Sequence, residues 1–400
     1  MIAAARLFLM LFVPMLAVLL AGLFLVMRTG QVDPWLWGAP AFVFLAGAGI
    51  FAGRDVALAS AVGAVLCVLL FCFLAAGRLP MGGAALGLLA ISLLSGLGGA
   101  MLCVSALRGA AGMVLGCAAL LLWLGPRDRV DVSAVRPSLA VMTALPLFWE
   151  EGGMARVDAP IIAVLRARFD VRAVDTLADV RAGDRLMLAQ PRDPEPAGLV
   201  AIDAWVRAGG HVLVLADSRL VWPSRLPMGD RRRAPSVTAL GPLLVHWGVE
   251  LESVDEGEVR RFLRDGRLVT TVATGRLRAV GAGCRAMEDG LVMRCAVGRG
   301  VAVIVADADL LDDRLWLADP ARPLEARNWV ADTPDLMAQW LGLPMQAGRR
   351  WLRNGVVLRD AVCWALLAGI GWAVMGMAIG RAPKQVFGRL PIPEPPGQSG

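Results

Sequence analysis

Ile202-Asp203-Ala204-Trp205-Val206-Arg207-Ala208-Gly209-Gly210-His211-Val212-Leu213-Val214-Leu215-Ala216-Asp217 decides the class of this fold. Its first half completes a helix over Gly198 to Arg207, stopped by Gly209-Gly210 because glycine takes the left-handed conformation of a helix C-terminus without penalty. The apolar run His211 to Ala216 then reads as a buried strand that ends at Asp217-Ser218. A helix feeding a buried strand in this way is the repeating unit of a parallel α/β sheet.

The same alternation extends upstream. Leu139 to Leu145 is an apolar strand ended by Pro146, and Ala159 to Phe169 a helix with Asp158 as its cap and Pro160 in its first turn. Val171 to Val174 and Arg185 to Gln190 are further strands, the second followed by a loop with Pro191, Pro194 and Pro196. From Glu250 the pattern changes to short strands around Asp265-Gly266 and Asp289-Gly290, the dipeptide that favours hairpin turns. Val301 to Ala306 returns as an apolar strand and Pro334 to Leu341 as a last helix. The expected fold class is α/β, a parallel sheet with an antiparallel β-hairpin insertion or extension; the resemblance described below further implies a flavodoxin-like domain.

The second hairpin carries a testable register. With Asp289-Gly290 as a two-residue loop, Glu288 faces Leu291, Arg285 faces Arg294 and Cys284 faces Cys295. A hydrogen-bonded pair has Cα atoms about 5.5 Å apart, within disulfide range. A Cys284–Cys295 disulfide, and with it an oxidising compartment, is one reading; two free thiols sharing a face is the other.

Outside this region the chain is too apolar for water. Of 400 residues, 57% are hydrophobic and 18% charged, against about 25% charged in globular chains. The excess resolves into runs of bilayer length: Leu7 to Met27, Trp35 to Gly53, Val56 to Ala76, Gly82 to Ala106 and the shorter Ala110 to Leu124, then Val356 to Gly380. The expected organisation is a membrane region of five spans over 1–125, a soluble domain over 126–355, a sixth span over 356–380 and a disordered basic, Pro-rich tail over 381–400. Arg359 and Asp360, just inside the last span, are expected to pair with each other or snorkel. With the amino terminus inside, Arg6, Arg54, Arg108, Arg381, Lys384 and Arg389 lie on the cytoplasmic side against Arg28 and Arg78 outside. The arginines flanking the domain oppose that placement, so charge alone leaves the side open. The expected location is the inner (cytoplasmic) membrane, multi-pass, with the soluble domain extracytoplasmic.

Charge excludes a nucleic-acid partner. The net +6 is almost absent from the domain, where 31 arginines meet 30 acidic residues between Pro126 and Gly355. The single lysine, Lys384, lies in the tail, which excludes P-loop, Schiff-base and kinase-type lysines. No Gly-x-Ser-x-Gly elbow is present, and His211, His246, Cys284 and Cys295 have no close ligand spacing. No catalytic residue, metal ligand or cofactor is therefore assigned. Asp307, Asp309, Asp312 and Asp313, behind the strand Val301 to Ala306, are the best site candidate, since α/β sheets bind ligands at strand carboxyl ends. They suit a divalent metal, or else cap a turn. Arg231-Arg232-Arg233 reads as a solvated loop or a contact with a partner or membrane lipid.

Three runs carry a resemblance: Ile202 to Asp217, Leu243 to Leu251, and Gly298-Arg299-Gly300-Val301-Ala302-Val303-Ile304-Val305-Ala306-Asp307-Ala308-Asp309-Leu310-Leu311. Together they resemble uncharacterised ABC-transporter-associated and gliding-motility-type auxiliary membrane proteins with a class I glutamine-amidotransferase-like domain. The resemblance implies an extracytoplasmic domain and a transporter or AAA-type ATPase partner. An active amidotransferase would carry a cysteine where this chain has Asp217-Ser218, which implies a non-catalytic version and marks Asp217, Ser218, Asp307 and Asp309 as ligand or partner candidates. The expected function is a non-catalytic membrane protein binding a partner or ligand at the cell envelope, accessory to an ABC-type transporter. The alternative is a membrane-bound enzyme using the Asp307 to Asp313 carboxylates with a divalent metal.

Overall fold

The computed structural model describes residues 2–125, 136–151, 155–192, 194–254, 257–345 and 348–380. The expected tail, 381–400, lies outside the described residues. The chain forms two compact units, one of Met1–Leu25, Asp33–Pro126 and Arg353–Gly400 and one of Val26–Val32 and Arg127–Leu352.

The helices, in chain order, are α1 (Ile2–Thr29), α2 (Gly38–Ala52), α3 (Arg54–Ala76), α4 (Gly82–Leu102) and α5 (Arg108–Leu124). They continue with α6 (Pro160–Arg168), α7 (Pro196–Arg207), α8 (Gly241–His246), α9 (Thr333–Trp340) and α10 (Gly355–Gly380). The strands are β1 (Ser138–Thr143), β2 (Asp170–Ala173), β3 (Arg185–Ala189), β4 (His211–Leu215), β5 (Val249–Glu252) and β6 (Glu258–Phe262). They end with β7 (Leu268–Val272), β8 (Arg276–Ala279), β9 (Cys284–Met287), β10 (Val292–Val297) and β11 (Gly300–Val305).

In the first unit, α1 to α5 and α10 give six helical stretches long and apolar enough to cross a bilayer, counting the turn Pro34–Trp37 with α2 and Ser105–Leu107 with α5. Asp33 sets the start of the second stretch by accepting the Trp35 amide at 2.9 Å ahead of Pro34. Small residues let α2 and α4 touch backbone to backbone. A Cβ on Gly99 would lie 2.1 Å from the Ala46 carbonyl oxygen, and one on Gly49 2.4 Å from that of Gly96. The few polar groups inside are met by main-chain carbonyls, as where Trp372 Nε1 donates to Ala59 at 2.9 Å and Ser95 Oγ to Ile91 at 2.6 Å. Arg359 and Asp360 pair with each other at 3.1 Å.

The second unit is built on a seven-stranded sheet of order β2-β1-β3-β4-β11-β10-β9, open at both edges. β2, β1, β3, β4 and β11 run parallel; β10 runs antiparallel to both of its neighbours, β11 and β9. Strand alternation sorts the side chains. Val141, Met187, Leu213 and Val303 stand in one cross-strand row and pack under α6 and α9. Leu186, Val212 and Ala302 point the other way, against Ile202 and Val206 of α7 and Leu243 and Leu244 of α8. Helices thus cover both faces, which is why the central strands read as unbroken apolar runs. Val26–Val32 also packs into this unit: Gln31 Nε2 donates to the carbonyls of Ala326 and Trp329 at 2.9 and 2.8 Å, and the Val32 amide to that of Arg350 at 2.7 Å.

Three local expectations need correction. Asp158 does not cap α6, whose N-cap is Ala159; its carboxylate pairs with Arg166, in the last turn of the helix, at 2.6 Å. The second hairpin is not a separate extension, because β10 pairs with β11 and so continues the main sheet, whereas β5-β8 and β6-β7 form small sheets of their own. Its register is as expected, with Arg285 opposite Arg294 and Cys284 opposite Cys295, and the cysteines form a disulfide. The pair is of the non-hydrogen-bonded kind, however. The flanking Ala296 amide bonds to the Gly283 carbonyl, and the cysteine Cα atoms are 4.0 Å apart.

Candidate functional site

Three of the expected site residues come together. Asp217 follows β4 and Asp307 follows the adjacent β11; with Asp309 they place carboxylate oxygens within 4.8 Å of one another, all three buried. Asp312 and Asp313, expected in the same cluster, are not in it. Asp312 turns to Arg314 at 2.5 Å and caps the turn Asp313–Leu315. Ser218, beside Asp217, has a buried hydroxyl with no partner among the described residues. His211 is at the opposite end of β4, held to the Trp340 carbonyl at 2.9 Å.

The three carboxylates are occupied with main chain. Asp217 accepts the amides of Arg219 (2.8 Å) and Ala308 (3.1 Å). Asp307 accepts those of Val272 (2.9 Å) and Leu310 (3.1 Å) and the Thr274 hydroxyl (3.0 Å), and Asp309 accepts Val221 at 2.9 Å. Residues 216–240 carry no helix or strand, and the bonds of Asp217 to Ala308 and of Asp309 to Val221, with Gln190 Nε2 on the Pro235 carbonyl at 3.1 Å, fasten that long segment to the carboxyl ends of the central strands. Burial, then the Asp217 charge, pushes Asp307 well above the usual carboxylate range. Burial raises Asp217 too, and burial with the Asp217 and Asp312 charges pushes Asp309 up to about 7. Such a cluster can hold protons, or a hard cation. Its bonding is that of a clasp for loops.

A second arrangement was not foreseen from sequence. Between the carboxyl ends of β1, β2 and β3 and the start of α7 lies a crevice of about 480 Å³. Thr143 and Ala144 come from the end of β1, Val174, Asp175 and Thr176 from beyond β2, and Arg192 and Glu195 from the loop between β3 and α7. Met142, Leu177 and Ile202 make much of its wall, and Trp149, partly exposed, stands at it. The position follows from topology. From β1 the chain crosses by α6 to β2 on one side, while from β3 it crosses by α7 to β4 on the other, with α6 and α7 on opposite faces. Adjacent strands whose crossovers leave in opposite directions open a gap at their carboxyl ends, which is where open α/β sheets bind ligands. Size and largely apolar walls are those of small-molecule pockets. Thr143 closes the floor by donating to the Ala189 carbonyl at 2.7 Å and accepting the Leu145 amide at 2.9 Å.

No family model and no curated protein matches the chain. Among solved structures it is similar to an exo-β-1,4-mannosidase from Opitutaceae bacterium strain TAV5, at 14% identity and TM-score 0.30, over 60% of this chain and 40% of that one. It is also similar to a cold-adapted β-galactosidase from Rahnella sp. R3, at 13% identity and TM-score 0.31, over 67% of this chain and 43% of that one. A β-galactosidase from Bacillus circulans sp. alkalophilus matches at 12% identity and TM-score 0.26, over 52% and 34%. The chain thus spans well under half the length of these enzymes. At such scores no substrate or activity carries over. The expectation of a non-catalytic accessory to a transporter is corrected: the solved structures named above are glycosidases, and that reading is not carried forward.

Proposed function

We propose that this chain is a multi-pass membrane protein of enzyme type, whose α/β domain takes a small organic substrate into the crevice between β1, β2, β3 and α7. The observation that carries the reading is the coincidence of the crevice with the topological switch point. The strand order β2-β1-β3-β4-β11 is that of flavodoxin-like sheets and supports the likeness to amidotransferase-like domains. The test is mass spectrometry of small molecules that co-purify with the full chain in detergent, beside Ile202→Trp, which fills the crevice. A compound retained by the native chain, lost in the variant and converted on incubation supports the proposal; equal retention by both sinks it.

Two observations support an extracytoplasmic domain. The Cys284–Cys295 disulfide belongs to an oxidising compartment. Segment Val26–Val32, which follows the first span, packs in the same unit as the domain that follows the fifth. Both lie on one side of the bilayer only if an even number of spans separates them, which the four stretches from Pro34 to Leu124 satisfy. With the domain outside, the amino terminus and the Arg54 and Arg108 loops fall inside, in keeping with the positive-inside rule.

A further inference from the structure

The charged groups around the crevice are not equivalent. Arg192 is already engaged, its guanidinium donating to the Arg232 carbonyl at 2.6 Å. The start of α7 would ordinarily attract an anion through its unbonded amides. Here Pro196 has no N–H, and the Gly198 and Leu199 amides both bond to the Glu195 carbonyl, at 2.8 and 3.2 Å. By contrast, the carboxylates of Asp175 and Glu195 line the crevice with no hydrogen-bond or ion-pair partner among the described residues. Trp149 adds an indole to the same wall, a surface that attracts cations through its ring quadrupole. The lining thus carries two carboxylates, Asp175 and Glu195, against the one guanidinium of Arg192, a net negative charge of one.

We infer that the crevice selects an organic cation with an apolar body, its charge set between Asp175 and Glu195 and its apolar part against Trp149, Leu177 and Ile202. This rests on the crevice being the ligand site, as proposed above. A phosphorylated or carboxylate ligand would meet a lining whose carboxylates outnumber its guanidinium two to one.

The experiment compares three probes of one shape, benzylammonium, benzyl alcohol and benzoate, binding to the full chain in a neutral detergent, read by ligand-observed NMR. Ile202→Trp serves as the background for partition into micelles. Benzylammonium is expected to bind about tenfold more tightly than benzyl alcohol, a ratio equal to one modest ion pair, and benzoate least. The double variant Asp175→Asn, Glu195→Gln is expected to bring the ammonium down to the alcohol while leaving the alcohol unchanged. Both side chains are exposed, so this variant tests charge without emptying a core. Equal binding of ammonium and alcohol by the native chain, or tighter binding of benzoate, overturns the charge inference and leaves the crevice reading intact. If no probe gives a signal that Ile202→Trp removes, the crevice reading fails as well.

Discussion

Asp309 shows how one carboxylate couples a loop to pH. Its folded value of about 7 lies above the ordinary 3.8, because it is buried beside Asp217 and Asp312. A folded state that holds a proton which the unfolded chain releases is favoured at low pH. The contribution is therefore fully present below about pH 4 and is lost as pH rises through 7. Asp217 and Asp307 are displaced the same way, burial first, and add the same sign. The thermal midpoint of the full chain in detergent should fall from pH 5 to pH 8, with a slope bounded at about 1.4 kcal/mol per pH unit for each proton lost. Asp309→Asn keeps an oxygen for the Val221 amide but no charge, so its profile should be flatter over that window. A variant as steep as the native chain would remove Asp309 from the cause. Amide exchange at Val221, corrected for intrinsic rate, should quicken over the same interval as the clasp on residues 216–240 weakens.

At the scale of elements, periodicity does what local physics allows. The parallel strands were legible because a strand covered on both faces must be apolar throughout, and the hairpin register because an Asp289-Gly290 turn fixes which residues face each other. That register predicts the disulfide's worth. Cys284→Ser should lower stability by about 2–4 kcal/mol in material purified without reductant, and reductant should bring the native chain to the same level. No response to either would show the two thiols free. What the hairpin pattern could not say is that β10 would pair with β11, since alternation fixes a strand's faces and not its neighbour. The crevice was hidden for the same reason: Thr143, Asp175 and Glu195 share no motif and meet only through the strand order. Asp307 and Asp309 were visible as carboxylates behind a strand. Their bonding to Val272 and Val221 was not, because those amides come from the end of β7 and from the loop beside Asp217, both far away in sequence. In the membrane unit the glycine contacts make a prediction of the same kind. Gly99→Leu must push α4 off Ala46 and should cost about 1–3 kcal/mol or more, seen as a lower aggregation temperature in detergent. Gly82→Leu, with no atom near its Cβ, should leave that temperature unchanged.

For the whole molecule, the proposed side of each loop rests on an even count. In that proposal the bonds of Gln31 to Ala326 and Trp329 keep the loop behind the first span in one compartment with the domain. That requires the short stretch Ser105–Leu124 to cross, although it is the least buried of the candidate spans. Were it to lie along the surface, the domain would fall on the side opposite Gln31 and those bonds could not form. A membrane-impermeant thiol reagent applied to intact cells reads this directly. Cysteines introduced one at a time at Met228, on the exposed loop of the domain, and at Leu79, between α3 and α4, should both react from outside. One introduced at Arg54, the first residue of α3, should react only after permeabilisation. For the proposed orientation the disulfide supports the sign that parity lacks, since a reducing cytoplasm would keep Cys284 and Cys295 as thiols. If Met228 and Leu79 are labelled on opposite sides, the number of crossings is odd and the α5 stretch does not span. If both are labelled only after permeabilisation, the count stands but the domain faces the cytoplasm, and the crevice would then meet cytoplasmic rather than envelope substrates.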